Sequence, residues 1–178
     1  MGIFGWIILV IGVLVGVAVL LVVIGLLLPR SHVASRSLTI AAPSEKIWQV
    51  ITDFQNVPTW HPEVLRVERL PDQHGREIWR ETYKGGFLMK LAITERLPPR
   101  RLVRTIADEK SPFTGCWEFE IITLDEGSRV AITEKGEIAN PLIRLMFRFF
   151  MNPAQFLEKY LRALAAKFGE VAVVEAKG

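Results

Sequence analysis

Residues 35–64, SRSLTIAAPSEKIWQVITDFQNVPTWHPEV, carry a strand, a turn and a helix in that order. Residues 35–41 alternate as on a strand with one buried face. Ala42-Pro43-Ser44-Glu45 then starts a helix, with proline at its first position. Ile47, Val50, Ile51 and Phe54 recur at helical spacing and give that helix one buried side, with Trp48 beside it. Residues 56–62 are irregular and hold Pro58, Trp60, His61 and Pro62.

Toward the C-terminus the period changes to two. Runs at 64–70, 77–83, 87–95, 102–108, 116–124 and 129–138 are rich in β-branched and aromatic residues. Pro71-Asp72, Gly85-Gly86, Pro98-Pro99, Ser111-Pro112 and Asp125-Glu126-Gly127 separate them as turns. Connections this short predict an antiparallel meander. Trp117, Phe119 and Ile121 oppose Glu118 and Glu120, and Phe87, Met89, Leu91 and Ile93 oppose Lys90 and Thr94, so the sheet is expected to be apolar on one side only. Asn140-Pro141 caps a long helical stretch that Asn152-Pro153 interrupts. Beyond it Leu157, Leu161, Leu164 and Phe168 form a core stripe, with Glu158, Lys159, Arg162 and Lys167 toward water. The order predicts an α+β domain over 35–170, a curved antiparallel sheet wrapped around a long C-terminal helix. Residues 30–34 read as a short linker and 171–178 as a loose tail.

Toward the N-terminus, residues 3–28 read IFGWIILVIGVLVGVAVLLVVIGLLL, apolar residues broken only by Trp6 and four glycines. As a helix this run is about 39 Å long, enough to cross a hydrocarbon core of about 30 Å with some tilt. Residues 1–29 are therefore expected to be a transmembrane anchor. The run is too long for a secretory signal and has no basic start, although Ala34 and Ser35 imitate a cleavage site. Trp6 stands where a myristoylation signal needs Ser or Thr. Arg30, Arg36 and Lys46 follow the span and none precedes it, which predicts a single-pass protein with its soluble domain in the cytoplasm. Gly12 and Gly16 have the spacing that lets two spans pack closely, so a transmembrane dimer is one possible partnership beside the bilayer itself.

The formal charge of +3 is dispersed, with no like-charge run, so no nucleic-acid partner is expected. Cys116 is the single cysteine and excludes an internal disulfide; its strand context predicts a small buried hydrophobe. His32, His61 and His74 all read as loop residues, and no metal-ligand pair, Gly-x-Ser-x-Gly elbow or phosphate loop is present. No metal and no cofactor are expected.

Residues 35–64, together with residues 127–150, GSRVAITEKGEIANPLIRLMFRFF, resemble the polyketide cyclase/dehydrase-like branch of the START/Bet v1-like superfamily. The likeness extends from Ser35 to about Glu170, and its motifs are diffuse rather than catalytic. It implies a helix-grip fold with an apolar cavity between sheet and last helix. Members bind lipids, sterols, polyketides or other hydrophobic molecules, and some are enzymes. The expected function is accordingly a membrane-tethered module for a hydrophobic small molecule. The alternatives are a cyclase or dehydrase and a ligand-free membrane-anchored assembly or stress factor.

Candidate ligand residues are Trp60, His61, Trp79, Glu81, Tyr83, Trp117, Phe119, Phe147 and Phe150. His61 stands near the expected cavity mouth and is the first candidate acid or base; its plain reading is a solvated loop histidine beside a packed tryptophan. Trp79, Glu81 and Tyr83 share one strand face. If that face turns inward, Glu81 is one of the cavity's few polar groups; because lone glutamates are seldom buried, Glu81 and Glu134 are expected in solvent otherwise. Leu142, Ile143, Leu145, Met146, Phe147, Phe149, Phe150 and Met151 crowd one short helix and leave Arg144 and Arg148 as its polar ridge. One buried face does not need that many apolar residues, so the surplus is expected at a cavity entrance or on a membrane interface.

Overall fold

A computed structural model describes residues 2–109, 111–171 and 173–176. Helix α1, Ile3–Leu27, is the apolar run; among the described residues it is the one helix long and apolar enough to cross a membrane. Strand β1, Ser31–Ile40, leads to α2, Ser44–Thr52, and a 3₁₀ turn, Phe54–Thr59. The meander follows as β2 Val64–Gln73, β3 Arg76–Tyr83, β4 Leu88–Leu97, β5 Arg101–Ile106, β6 Phe113–Thr123 and β7 Ser128–Ile138. Helices α3, Pro141–Phe150, and α4, Pro153–Lys167, come next, and a two-residue strand β8, Glu175–Ala176, ends the description.

The strands form one antiparallel sheet in the order β2-β3-β4-β5-β6-β7-β1-β8. The expected class is α+β with a sheet around the last helix, and this is what forms. Several boundaries differ, three of them with consequences for the reading of the domain. β1 begins at Ser31, inside the presumed linker, because Ser31–Ala34 continue the ladder against Glu134–Glu137. His32 is thus a strand residue rather than a loop residue. The β2–β3 turn falls at His74-Gly75, both at positive φ, so the chain passes Pro71-Asp72 through an irregular register instead of turning there. The presumed loose tail includes β8, which pairs with Arg36 and Ser37.

The core lies between α2, α4 and the concave face. Leu157, Leu161 and Leu164 of α4 meet Ile47, Ile51 and Phe54, and Leu38, Ile40, Leu102, Phe119, Val130 and Ile132 come from the sheet. Each such buried side chain is worth about 1.5–3 kcal/mol, so the leucine stripe alone fixes α4 across the sheet. Both α3 and α4 start as read: the Asn140 side chain accepts from the Leu142 and Ile143 amides, the Asn152 side chain from the Gln155 amide, and a proline follows each asparagine.

The convex face carries an ion-pair cluster in which Arg101 reaches Glu95, Glu118 and Glu120 and Lys135 reaches Glu118. It is not purely polar. Ile78, Ala92, Val103 and Ala131 point outward by strand alternation and are nevertheless buried, since the neighbouring long side chains can lie over them.

Candidate functional site

Pleating places His32, Glu134, Trp117, Phe119, Arg104, Met89, Glu81 and Tyr83 on one concave surface, since Trp117 pairs with Glu134 and Arg104, and Glu81 with Met89. Between this surface and the α3–α4 junction lies a cavity of about 330 Å³. Met89, Ile106, Phe113, Trp117, Phe147 and Phe156 form its apolar walls. Deeper, a void of about 20 Å³ is bounded by Glu81, Arg104, Phe119, Leu157 and Tyr160, and Tyr83, Trp117, Met89 and Phe156 separate the two spaces.

Polar groups gather at two levels. At the outer cavity, His32 Nε2 stands 3.2 Å from Glu134 Oε1 while Trp117 Nε1 donates to Glu134 Oε2 at 3.1 Å. The His32 ring also packs on Phe147, centroids 4.6 Å apart. At the floor, Arg104 pairs with Glu81, which also accepts from the Tyr83 hydroxyl. Arg104 lies over the Phe54 ring at 5.0 Å. His61 packs on Tyr160, ring centroids 5.2 Å apart, with Trp60 at 5.2 Å from the same tyrosine. Burial pushes both the Tyr160 and Tyr83 phenols well above their ordinary range, with the Glu81 charge adding to the rise.

The structure corrects three readings here. Glu81 is 1% exposed and Glu134 is nearly buried, so neither is solvated; each has gained a partner that makes burial tolerable. His61 is also 1% exposed, not a solvated loop residue, because the backbone after the 3₁₀ turn folds it under α4. Cys116 is half-buried on the convex side, its thiol 4.0 Å from Glu118 Oε1, rather than a core residue.

Of the nine candidate ligand residues, Tyr83, Trp117 and Phe147 line the cavity, and Glu81 and Phe119 border the inner void. Trp79 packs on Phe54 in the core, and Trp60 and His61 sit behind Tyr160. Phe150 faces outward at 84% exposed. Sequence reasoning missed Arg104, Tyr160, Phe156 and His32. Tyr160 falls inside the leucine stripe of α4, and that spacing is an available signal; Arg104 has none as clear, since Leu102 and Val103 are apolar on both faces of its strand. Among the described residues no group of three His, Cys, Asp or Glu side chains is placed to hold a metal ion.

His61 Nδ1 accepts from the Glu63 amide at 3.3 Å, which puts the proton of the neutral ring on Nε2, an atom with no hydrogen-bond partner among the described residues. Burial lowers the His61 pKa below its ordinary value. The unfolded chain therefore takes up this proton first as pH falls, and stability is complete above about pH 6.5 and lost as pH drops below it. The slope attributable to His61 cannot exceed about 1.4 kcal/mol per pH unit, one proton's worth. His61→Leu should flatten the fall in thermal stability of the full chain between neutral and mildly acid pH. An unchanged slope would show that His61 is not the group responsible.

Residues 31–171 match the family model described as polyketide cyclase/dehydrase and lipid transport. No curated protein matches the chain. Among solved structures, the Zhui aromatase/cyclase from Streptomyces sp. R1128 superposes with TM-score 0.60 at 16% identity, covering 78% of this chain and 94% of that one. A START superfamily protein from Mycobacterium smegmatis gives 0.57 at 18%, covering 78% and 97%. The major latex-like protein 151 of Panax ginseng gives 0.64 at 12%, covering 80% and 99%. At these identities the structural likeness establishes the fold, a START/Bet v1-like helix grip. With the family match spanning most of the sequence, the chain belongs to the polyketide cyclase/dehydrase and lipid transport family, whose role is hydrophobic-ligand binding or cyclisation.

Proposed function

We propose that this chain is a membrane-tethered module that holds or moves a hydrophobic small molecule, a lipid or an isoprenoid- or polyketide-like compound. The observation that carries the reading is the cavity of about 330 Å³ with predominantly apolar walls, within the size range of small-molecule sites. Among its polar lining groups, which also include Glu63, Lys84, Lys135 and Asn152, Glu134 with His32 and Trp117 form one connected set that suits orientation of a polar end of a ligand. Tethering by α1, with the domain on the cytoplasmic side as Arg30 predicts, keeps the cavity beside the phase in which such ligands concentrate. A Cβ added at Gly12 or Gly16 would meet no described residue outside its own helix within 4 Å, which leaves room for a second span.

A cyclase or dehydrase reading is favoured by one observation: among the described residues, His61 Nε2 and Arg104 Nε are buried without hydrogen-bond partners, as proton-handling groups awaiting a substrate can be. Neither residue lines the main cavity, and a substrate would have to displace Tyr83, Trp117 or Phe156 to reach them. Binding is therefore the better-supported role.

The full chain, purified in mild detergent and extracted for mass spectrometry, should yield about one hydrophobic molecule per chain. Met89→Trp places an indole in the space that molecule occupies and should lower retention roughly tenfold, equivalent to about 1.4 kcal/mol, at equal folded fraction. Repeated absence of any extractable molecule would favour the ligand-free assembly or stress factor. Chemical conversion of the bound molecule, lost in His61→Leu, would favour the enzyme.

A further inference from the structure

Helix α3 is built inside out. Its arginine Arg144 is 4% exposed, whereas Met146, Phe149 and Phe150 are 62%, 71% and 84% exposed. Leu142, Met146, Phe149 and Phe150 fall within one arc of the helix, opposite Arg144, at 100° per residue. A helix in water turns such an arc inward. Arg144 is not an accident of packing: its guanidinium donates to the carbonyls of Gly25 at 3.0 Å, Leu28 at 2.8 Å, Ile138 at 3.1 Å and Ala139 at 2.9 Å. Two of those carbonyls belong to the C-terminal end of α1, which has no basic residue in its last turn. Gly25 meets α3 so closely that a Cβ there would lie 2.2 Å from the Pro141 carbonyl oxygen.

The end of the apolar span and the N-terminal half of α3 are thus locked together. Wherever α1 leaves a bilayer, α3 lies at that depth, with its apolar arc outward. Leu27 at the span's end and Phe87 and Leu88 at the β3–β4 turn are also exposed. Arg30, just past the end of the span, and Arg148, on the Arg144 side of α3, are both exposed and put positive charge suited to anionic headgroups on this end of the domain. Phe147 and Met151, on the same segment, and Phe87 line the cavity.

We propose that the outward arc of α3 is seated in the headgroup–acyl boundary of the leaflet where α1 ends, so that the cavity mouth between α3 and the β3–β4 turn opens onto lipid rather than water. Seating rests on α1 spanning a membrane; the use of the mouth by a ligand rests on the binding role above. A hydrophobic molecule then passes between bilayer and cavity without crossing water, which for a long-chain compound removes the cost of exposing its methylenes.

The test uses the full chain in vesicles of phosphatidylcholine and phosphatidylglycerol, in a Cys116→Ser background. A polarity-sensitive fluorophore is attached after Phe149→Cys, Phe150→Cys or Phe87→Cys. Glu126→Cys serves as control, since it lies at the far end of β7 from α3 and is exposed. All four positions are outside the core, and thermal melting checks that each variant keeps its fold. Lipid carrying a nitroxide near the headgroup should quench the labels at 149, 150 and 87 severalfold more than the label at 126. Equal, weak quenching at all four would overturn the proposal. So would labels at 149 and 150 that are shielded from aqueous iodide yet not quenched by lipid, which would place a second copy or another protein on this face. Quenching at 149 and 150 but not at 87 would overturn the bilayer-facing mouth. No cavity ligand enters the readout, so an empty cavity and a failed seating give different results.

Discussion

Glu81→Ala should cost about 3–5 kcal/mol of folding stability, because it leaves the Arg104 guanidinium buried with its charge uncompensated. Folded domains of this size have about 5–15 kcal/mol in total, so the variant should stand near the edge of unfolding at ambient temperature. The side chains of the pair are 2% and 6% exposed, so water does little to screen either partner. Tyr83 would lose its acceptor as well. The companion change decides what the pair is for. Glu81→Leu combined with Arg104→Met removes both charges at similar volume and should recover most of the loss. Denaturant titration of the full chain in detergent measures all three proteins. A single-variant cost below about 1 kcal/mol would mean that water reaches the pair and that it behaves as a surface ion pair. Recovery of stability without recovery of the bound hydrophobic molecule would separate a ligand-orienting role from a structural one.

That pair also marks the limit of what the chain discloses before it folds. Strand alternation put Trp79, Glu81 and Tyr83 on one face, and Trp117 and Phe119 on another strand's face, and both faces do turn inward. Alternation alone does not say that a glutamate on such a face has a partner. Arg104 is 23 residues away on β5, and its neighbours Leu102 and Val103 are both apolar, so the phase of that strand is ambiguous until the sheet fixes it. The β4–β5 register shift between Ile93 and Glu95 adds a further half-period that no local pattern reveals. His61 was misplaced for a related reason. Loop residues are polar on average, but its backbone amide donates to the Val57 carbonyl and holds the ring beneath Tyr160. By contrast α4 was legible from its leucine spacing and its Asn-Pro start, because both signals act within two turns of helix. The excess of apolar residues on α3 was legible too. Its cause was not, since two of the four carbonyls that hold Arg144 lie 116 and 119 residues earlier in the chain.

Arg144→Met should uncouple α1 from the folded domain. Methionine fills much of the same volume but leaves the buried carbonyl of Gly25 and the half-buried carbonyl of Leu28 without this donor. It also removes the positive charge from the C-terminal end of the α1 dipole, where no other basic side chain stands in the last turn. Hydrogen bonds from charged groups are worth about 1.5–3 kcal/mol each, offset by the guanidinium desolvation that methionine avoids, so a net loss of about 3 kcal/mol is expected. A domain of this size should then melt about 6–12 °C lower. A fall in melting temperature alone would suit any buried arginine, so the decisive measurement is local. Arg30 lies in the joint between α1 and β1, where its carbonyl accepts from the Ile138 amide. Trypsin cleavage after Arg30 tracks opening of that joint when opening is fast, and it should accelerate at least about tenfold, the equivalent of about 1.4 kcal/mol. Arg144→Lys keeps the charge but not the planar fork, and should fall between the two proteins in both measurements. If the melting temperature drops while cleavage after Arg30 keeps its original rate, Arg144 stabilises α3 within the domain and does not lock the span to it. The orientation of the cavity mouth toward the bilayer would then need another cause.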